Sequence, residues 1–188
     1  SLSDYYFVAQ NVTDSTVTMA LEHPTGEAVY IDYELLSDNY LVNMTVRTKG
    51  MQKHFAARTN SFTIDWKDCV RQQEKGFYFE NMYSTLTYKL TGDDTEKLSE
   101  METEEVNADG NVDWIAFKNQ YFSSVLIAKD NFSDVALKSY QMEENSGYLK
   151  AYTAKMQVPF DITENVGTQL QFYFGPNHYR TLQGMDDF

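Results

Sequence analysis

The stretch VYIDYELLSDNYLVNMTV, residues 29–46, contains two segments in which apolar and polar side chains alternate. The period of two is typical of β-strands with one buried and one solvated face. The inward residues are Val29, Ile31, Tyr33 and Leu35 in the first segment and Tyr40, Val42, Met44 and Val46 in the second, and the outward ones include Asp32, Glu34, Asn43, Thr45 and Arg47. The short polar link at residues 37–39 predicts an antiparallel hairpin.

The same alternation recurs along the chain. The inward residues of the other predicted strands are Val17, Met19 and Leu21; Phe62, Ile64 and Trp66; Met82, Ser84, Leu86, Tyr88 and Leu90; and Leu170, Phe172 and Phe174. At the centre of the segment SSVLIA, residues 123–128, both odd- and even-numbered residues are apolar. A strand whose two faces are both apolar is predicted to lie inside a sheet that is covered on both faces. The pair Asp109-Gly110 between alternating segments predicts a second hairpin.

Helical signals are few. WKDCVRQQEK, residues 66–75, offers a weak stripe of Trp66, Cys69, Val70 and Gln73, which predicts one or two helical turns. The acidic stretch at residues 91–105 has few apolar residues that could pack in a core. It predicts a solvent-exposed loop followed by an edge strand. Together these patterns predict an all-β chain, an antiparallel β-sandwich of about ten strands.

Composition limits the protein class. The chain has 188 residues, of which 42% are hydrophobic and 15% aromatic, so it is long enough for one sizeable core, and we expect one domain over residues 1–188. A formal net charge of -13 repels phosphate groups, and nucleic acid is therefore excluded as a partner. The chain contains one cysteine, so an intrachain disulfide is impossible.

Residues with the potential for catalysis are scattered. His23, His54 and His178 stand in separate contexts without metal-binding spacing, and we predict no metal, no cofactor and no catalytic residue. Cys69, alone between Asp68 and Val70, is typical of a small buried hydrophobe.

Two patterns leave an alternative open. The aromatics Phe77, Tyr78, Phe79 and Tyr83 suit a sandwich core, which we favour, but they also suit a platform that stacks on sugars or peptides. The abundant carboxylates permit a carbohydrate-binding or carbohydrate-active protein, in which His54 or His178 and a nearby Glu act as acid and base.

Three longer motifs carry a resemblance to a known family. VDWIAFKNQYFSSVLIA, residues 112–128, resembles the periplasmic-domain signature of the bacterial membrane-protein insertase YidC, in which a Trp and a short aliphatic step precede a Gln-Tyr-Phe strand. QFYFGPNHYR and the following TLQGMDDF, residues 171–188, resemble the closing element of that domain. GFYFENMYSTLTYK, residues 76–89, and the opening hairpin fit the family's strand order. The matching motif residues are Trp114, Gln120, Tyr121, Phe122, Phe174, Gly175 and Pro176.

The resemblance implies a fold and a role. The fold is a β-supersandwich of galactose-mutarotase-like topology with a short C-terminal helix, and the role is that of a non-catalytic domain on the periplasmic side of the inner membrane. The implied partners are Sec translocon components and nascent membrane proteins, whose insertion and folding the domain assists. The family's membrane anchor and transmembrane helices do not occur in this sequence, so we expect an excised part of a larger membrane protein.

The end of the chain has a predicted structural role. Pro176 suits the first position of a helix, because the N–H that proline lacks has no hydrogen-bond partner at that position in any helix. Gly184 is typical of the residue at which a helix ends. Tyr179 and Leu182 are three residues apart, so they would share one side of this helix and pack it against the sandwich. The resemblance implies that this tail leads toward the membrane.

Overall fold

The computed structural model describes residues 1–56, 58–161 and 167–177. In these residues twelve strands and one short α-helix form. The strands are β1 (Val8–Gln10), β2 (Thr16–Glu22), β3 (Ala28–Leu35), β4 (Leu41–Lys49), β5 (Ser61–Arg71), β6 (Thr85–Leu90), β7 (Thr95–Lys97), β8 (Glu104–Asn107), β9 (Val112–Lys118), β10 (Phe122–Gln141), β11 (Tyr148–Pro159) and β12 (Thr168–Pro176), and the helix is α1 (Phe77–Met82). Two short 3-10 turns lie at Leu2–Asp4 and Gln52–His54.

The strands form two layers, and all described pairings are antiparallel. The large sheet has the order β1-β2-β3-β4-β12-β10-β9-β6-β7. In the small sheet, β10 pairs with β8 and β11, and β11 pairs with β5. The prediction of an all-β antiparallel sandwich is therefore confirmed.

The strand β10 belongs to both sheets. Its first half pairs with β9 and β12 in the large sheet, and its second half pairs with β8 and β11 in the small sheet. The register shifts between Ile127 and Phe132, where Asn131 has a φ of 61°. Such an irregularity bends a strand, and here it carries the chain from one sheet to the other.

The core lies between the sheets. Phe117 of β9 stacks on Trp66 of β5 with ring centroids 3.9 Å apart and also contacts Tyr152 of β11. Leu126 of the large sheet and Leu137 of the small sheet are buried in the same cluster. These contacts join the layers because each strand directs alternate side chains inward.

Several predicted elements are confirmed. The opening hairpin exists as β3 and β4, with Ile31 opposite Val46. β10 is central at residues 123–128, where Val125 and Leu126 are buried on opposite faces. The acidic stretch is a loop that includes the short edge strand β7.

The helical prediction around Trp66 is wrong. Residues 66–71 continue β5, which pairs with β11 in an unbroken run from Ser61 to Val70. The weak helical spacing of apolar residues is outweighed by pairing with β11, which supplies inter-strand hydrogen bonds along nearly the whole of β5.

Two strand predictions also need correction. Met82 and Ser84 were predicted in a strand, but Met82 ends α1 and β6 begins at Thr85. The hairpin at Asp109-Gly110 is wrong, because β8 pairs with β10 in the small sheet and β9 lies in the large one. The turn therefore crosses between layers instead of joining neighbouring strands.

The predicted C-terminal helix falls outside the described residues for all positions beyond Asn177. Pro176 itself is the last residue of β12, opposite Phe122, so it does not open a helix. Among the described residues, helices are all too short or too polar to cross a bilayer.

Leu126 tests the core. Leu126→Ala should lower the free energy of unfolding by about 3 kcal/mol, because a fully buried leucine leaves a cavity when truncated. Urea unfolding followed by circular dichroism measures it. The matched control is Leu35→Ala, since Leu35 is 54% exposed and should change the stability by less than about 0.5 kcal/mol. Equal effects of the two substitutions would contradict the layer assignment.

Candidate partner-binding surfaces

The longest free edge in the described part of the chain belongs to β5. This strand has eleven residues, pairs with β11 on one side and has no described strand on the other. The other edge strands, β1, β7 and β8, have only three or four residues. An unpaired strand edge presents a row of N–H and C=O groups that another chain can bond.

A groove opens between the two sheets beside β5. It encloses about 270 Å³ and is lined by Asp68, Cys69 and Arg71 of β5 on one side and by Phe117 and Phe122 of the large sheet on the other. Phe122 is 57% exposed. The groove thus combines aromatic surface with charged groups, directly next to the free edge.

Cys69 lies on the exposed side of β5. The prediction of a small buried hydrophobe is therefore wrong, because Cys69 shares its parity with the exposed Thr63, Asp65 and Lys67.

The structure brings most of the motif residues together. Tyr121 ends the turn between β9 and β10, Phe122 begins β10, and Gly175 and Pro176 end the neighbouring β12. The carbonyl of Tyr121 accepts a hydrogen bond from the Asn177 N–H at 2.8 Å. These contacts pin the end of β12 to the turn.

Gly175 has a steric role in this junction. A Cβ at this position would lie 2.6 Å from the Tyr173 ring and 2.8 Å from Cγ of Tyr40. The rings of Tyr40 and Tyr173 meet edge to face above it, so a side chain at Gly175 would displace them. Phe174, on the opposite parity, stacks on Phe172 and is half exposed.

Trp114 and Gln120 have buried polar atoms without a described partner, namely the indole N–H and the side-chain oxygen. Trp114 lies apart from the groove, at a second cavity of about 290 Å³ on the outer face of the large sheet. Ile127 and Gln171 line the same cavity.

The helix α1 is fastened by a buried lysine. Lys150 of β11 is fully buried, and its ammonium donates to the carbonyls of Ser84 and of Glu100, the latter at 2.7 Å. Asn81 of α1 donates to Gln141 of β10 at 2.8 Å. Burial lowers the pKa of Lys150 to about 8.

The other end of α1 is held by a buried carboxylate. Glu80 accepts hydrogen bonds from the N–H groups of Gln73 and Glu74 at 2.9–3.0 Å. The side chain therefore supplies acceptors to a chain segment that leaves β5, as a buried charge requires.

Sequence reasoning missed Lys150 and Glu80. A signal for Lys150 was present, because Tyr152, Ala154, Met156 and Val158 share its parity and are all buried. A lysine on the apolar face of an alternating strand indicates a buried, hydrogen-bonded ammonium. No comparable pattern marks Glu80.

The four clustered aromatics do not all enter the core. Phe77 is buried, whereas Tyr78, Phe79 and Tyr83 are 65%, 56% and 51% exposed. The favoured core interpretation is wrong for these three. The reason is the helical period, which turns Phe77, Glu80 and Asn81 inward and the other residues outward.

The carbohydrate alternative requires a histidine next to a carboxylate, and such an arrangement occurs at Glu27. His54 lies 3.5 Å and His23 3.8 Å from this buried carboxylate, but Lys53 and the Thr25 hydroxyl bond it directly. The Lys53 ammonium holds the pKa of Glu27 well below its usual range, so the carboxyl cannot donate a proton near neutral pH. Glu27 lines neither cavity described above, and His178 lies outside the described residues.

Known sequences resemble this chain over nearly its whole length. The profile of the YidC periplasmic domain matches residues 2–188. The chain is similar to proteins named membrane protein insertase YidC: 48% identity with that of Phocaeicola vulgatus over 98% of this chain, 45% with that of Bacteroides fragilis over 97% and 37% with that of Parabacteroides distasonis over 98%. It spans 29–30% of the length of these relatives.

The lowered pKa of Lys150 predicts a pH dependence. The folded protein releases this proton near pH 8, whereas an unfolded chain keeps it to about 10.5, so the unfolded state binds more protons between these values. The stability of the wild type relative to Lys150→Met should therefore rise by about 2 kcal/mol from pH 8 to pH 10. Urea unfolding at several pH values measures this difference.

Lys155→Met is the matched control, because Lys155 lies in the same strand with an exposed side chain. Its stability difference from the wild type should stay nearly constant with pH. A constant difference for Lys150→Met as well would show that its ammonium is not desolvated.

Proposed function

Because this chain belongs to the YidC periplasmic domain family, we propose that it is the periplasmic, non-catalytic domain of a membrane protein insertase. Residues 1–188 form one domain on the periplasmic side of the inner membrane. It is attached to the bilayer through segments outside this sequence. Support comes from the family match and from relatives whose printed name is membrane protein insertase.

The proposed role is scaffolding and partner binding. The domain positions the membrane portion and offers a surface to Sec translocon components and to nascent membrane proteins during insertion and folding. The acidic charge of -13 keeps such a domain soluble and directs it toward basic partners.

The observation that carries this role is the free edge of β5. An extended segment of a client or partner adds as a further strand, and its main-chain hydrogen bonds supply affinity without demanding one sequence. The groove beside the edge then receives alternate apolar side chains against Phe117 and Phe122. A surface of this kind suits a protein that handles many different chains.

Amide hydrogen exchange tests the β5 edge. The probe is a synthetic extended peptide of alternating valine and threonine, added to the isotope-labelled chain. Amides of residues 61–71 that face the free edge should exchange about tenfold more slowly with peptide, because binding converts exposed N–H groups into ladder bonds. NMR resolves the effect residue by residue, and the β1 edge serves as the internal control.

A peptide with alternate backbone N-methyl groups provides a second control. It keeps the side chains but loses the donors of a ladder, so it should not protect β5. Equal protection by both peptides, or no protection of β5 by either, would contradict strand addition at this edge.

A further inference from the structure

One face of α1 exposes apolar side chains that the fold does not use. Phe79, Met82 and Tyr83 are 56%, 47% and 51% exposed and stand three or four residues apart, so they share one side of the helix. Tyr78 is 65% exposed. With Met101, which is 56% exposed, these residues are called the α1 patch.

Met101 lies beside α1 because of the buried ammonium of Lys150. This nitrogen bonds both the carbonyl of Ser84, just after α1, and that of Glu100, just before Met101. Gln141 makes the second link, since it accepts from Asn81 and donates to the carbonyls of Glu100 and Glu102. These bonds hold the backbone at Met101 next to the end of α1, so the α1 patch draws on two segments of the chain.

The exposed side chains are held outward by the anchors on the opposite side of the helix. Phe77, Glu80 and Asn81 are buried, and the Phe79 and Tyr83 rings contact each other with centroids 5.0 Å apart. Since α1 is fixed on its inner side, rotation of the helix cannot bury the patch. The protein thus maintains an exposed apolar surface on a rigid base.

The composition of the α1 patch matches that of an interface. Tyrosine, phenylalanine and methionine are enriched at the centres of protein interfaces, and methionine adapts its shape to different partners. Clustered exposed apolar groups in a soluble domain mark interaction sites.

The surroundings of the patch are acidic. Glu74 precedes α1, Glu102 follows Met101, and Glu143 and Glu144 follow Gln141 in the next turn; all four are exposed. Within the described residues none of the four forms an ion pair, while Glu100 is paired with Lys97. Lys75 is a single cation in the loop before α1. The rim therefore favours a positively charged partner and repels anionic lipid.

We propose that the α1 patch binds an apolar polypeptide segment flanked by lysine or arginine. The apolar face of the segment covers Phe79, Met82 and Tyr83, and its cations meet the rim carboxylates. This inference rests on the proposed role of the domain in binding polypeptides, and it assigns that role a second surface, distinct from the β5 edge, together with the chemistry of its ligand.

A pair of synthetic amphipathic peptides tests the inference. One contains only leucine and lysine, the other only leucine and glutamate, in the same pattern and length, each with a fluorescent label. Fluorescence anisotropy with the intact chain should show binding of the lysine peptide and at least about tenfold weaker binding of the glutamate peptide, because its charges oppose the rim. Equal affinity for both peptides would overturn the proposal.

Substitutions then locate the site. Phe79→Ser and Tyr83→Ser should each weaken binding of the lysine peptide about tenfold, because each removes a central aromatic contact. Tyr6→Ser is the control, since Tyr6 is 95% exposed on the segment before β1, and it should leave binding unchanged. The far-ultraviolet circular dichroism spectrum of each variant checks folding. Tyr78→Ser is a third patch variant, and it should weaken binding less than Phe79→Ser, because Tyr78 lies outside the face formed by Phe79, Met82 and Tyr83.

The other possible occupants are outcomes of the same experiment. A lipid surface is tested with vesicles of phosphatidylethanolamine and phosphatidylglycerol. If the wild type binds these vesicles and Phe79→Ser does not, the patch is a lipid contact and the proposal fails. Unchanged peptide affinity in all patch variants also overturns it. Protection of β5 by the valine–threonine peptide is measured in a separate experiment. A negative result for the α1 patch therefore does not affect the proposal for the β5 edge, and a negative result for the β5 edge does not affect the proposal for the α1 patch.

Discussion

The constraint on which the structure depends is that one strand serves two sheets. β10 must satisfy its backbone hydrogen bonds with β9 and β12 in its first half and with β8 and β11 in its second. The bend at residues 127–132 is therefore fixed from both sides, and Phe132 at the end of the bend is fully buried in the core. The two layers cannot slide independently, which gives the aromatic contacts of Phe117 with Trp66 and Tyr152 a constant geometry.

The surfaces suited to binding follow from this arrangement. The small sheet ends at β5, so its long edge is left free beside the open side of the sandwich. The chain that leaves β5 then has to reach β6 in the other layer, and α1 is the connection. Lys150 and Glu80 fasten that connection from inside, at the cost of burying two charges. Because Phe77 and these hydrogen bonds already hold α1 on its inner side, Tyr78, Phe79 and Tyr83 are left facing solvent.

Local pattern predicted much of the fold and little of the candidate surfaces. Alternation in residues 29–46 predicted the β3–β4 hairpin, although Leu35 and Tyr40, which were expected inward, are exposed. The apolar run at residues 123–128 predicted a central strand, because a strand covered on both faces needs apolar residues on both parities. Local pattern was insufficient at Asp109-Gly110, where a turn typical of hairpins joins strands of different layers. It also failed at residues 66–71, because the ladder with β11 outweighs a weak helical spacing. The free edge of β5 could not be foreseen, since which strand lies last depends on every other pairing.

The sequence by itself determined that this protein is a strand-rich, acidic domain, because alternation and charge are properties of neighbouring residues and of their sum. Its motifs also sufficed to indicate the YidC family, which the family match supports. Only the tertiary structure decided that Lys150 is buried, that Cys69 and the α1 aromatics are exposed, and that Tyr121 and Phe122 meet the end of β12. These facts depend on contacts between residues far apart in the chain, and the parity of Lys150 in β11 is the one local pattern described above that points to any of them.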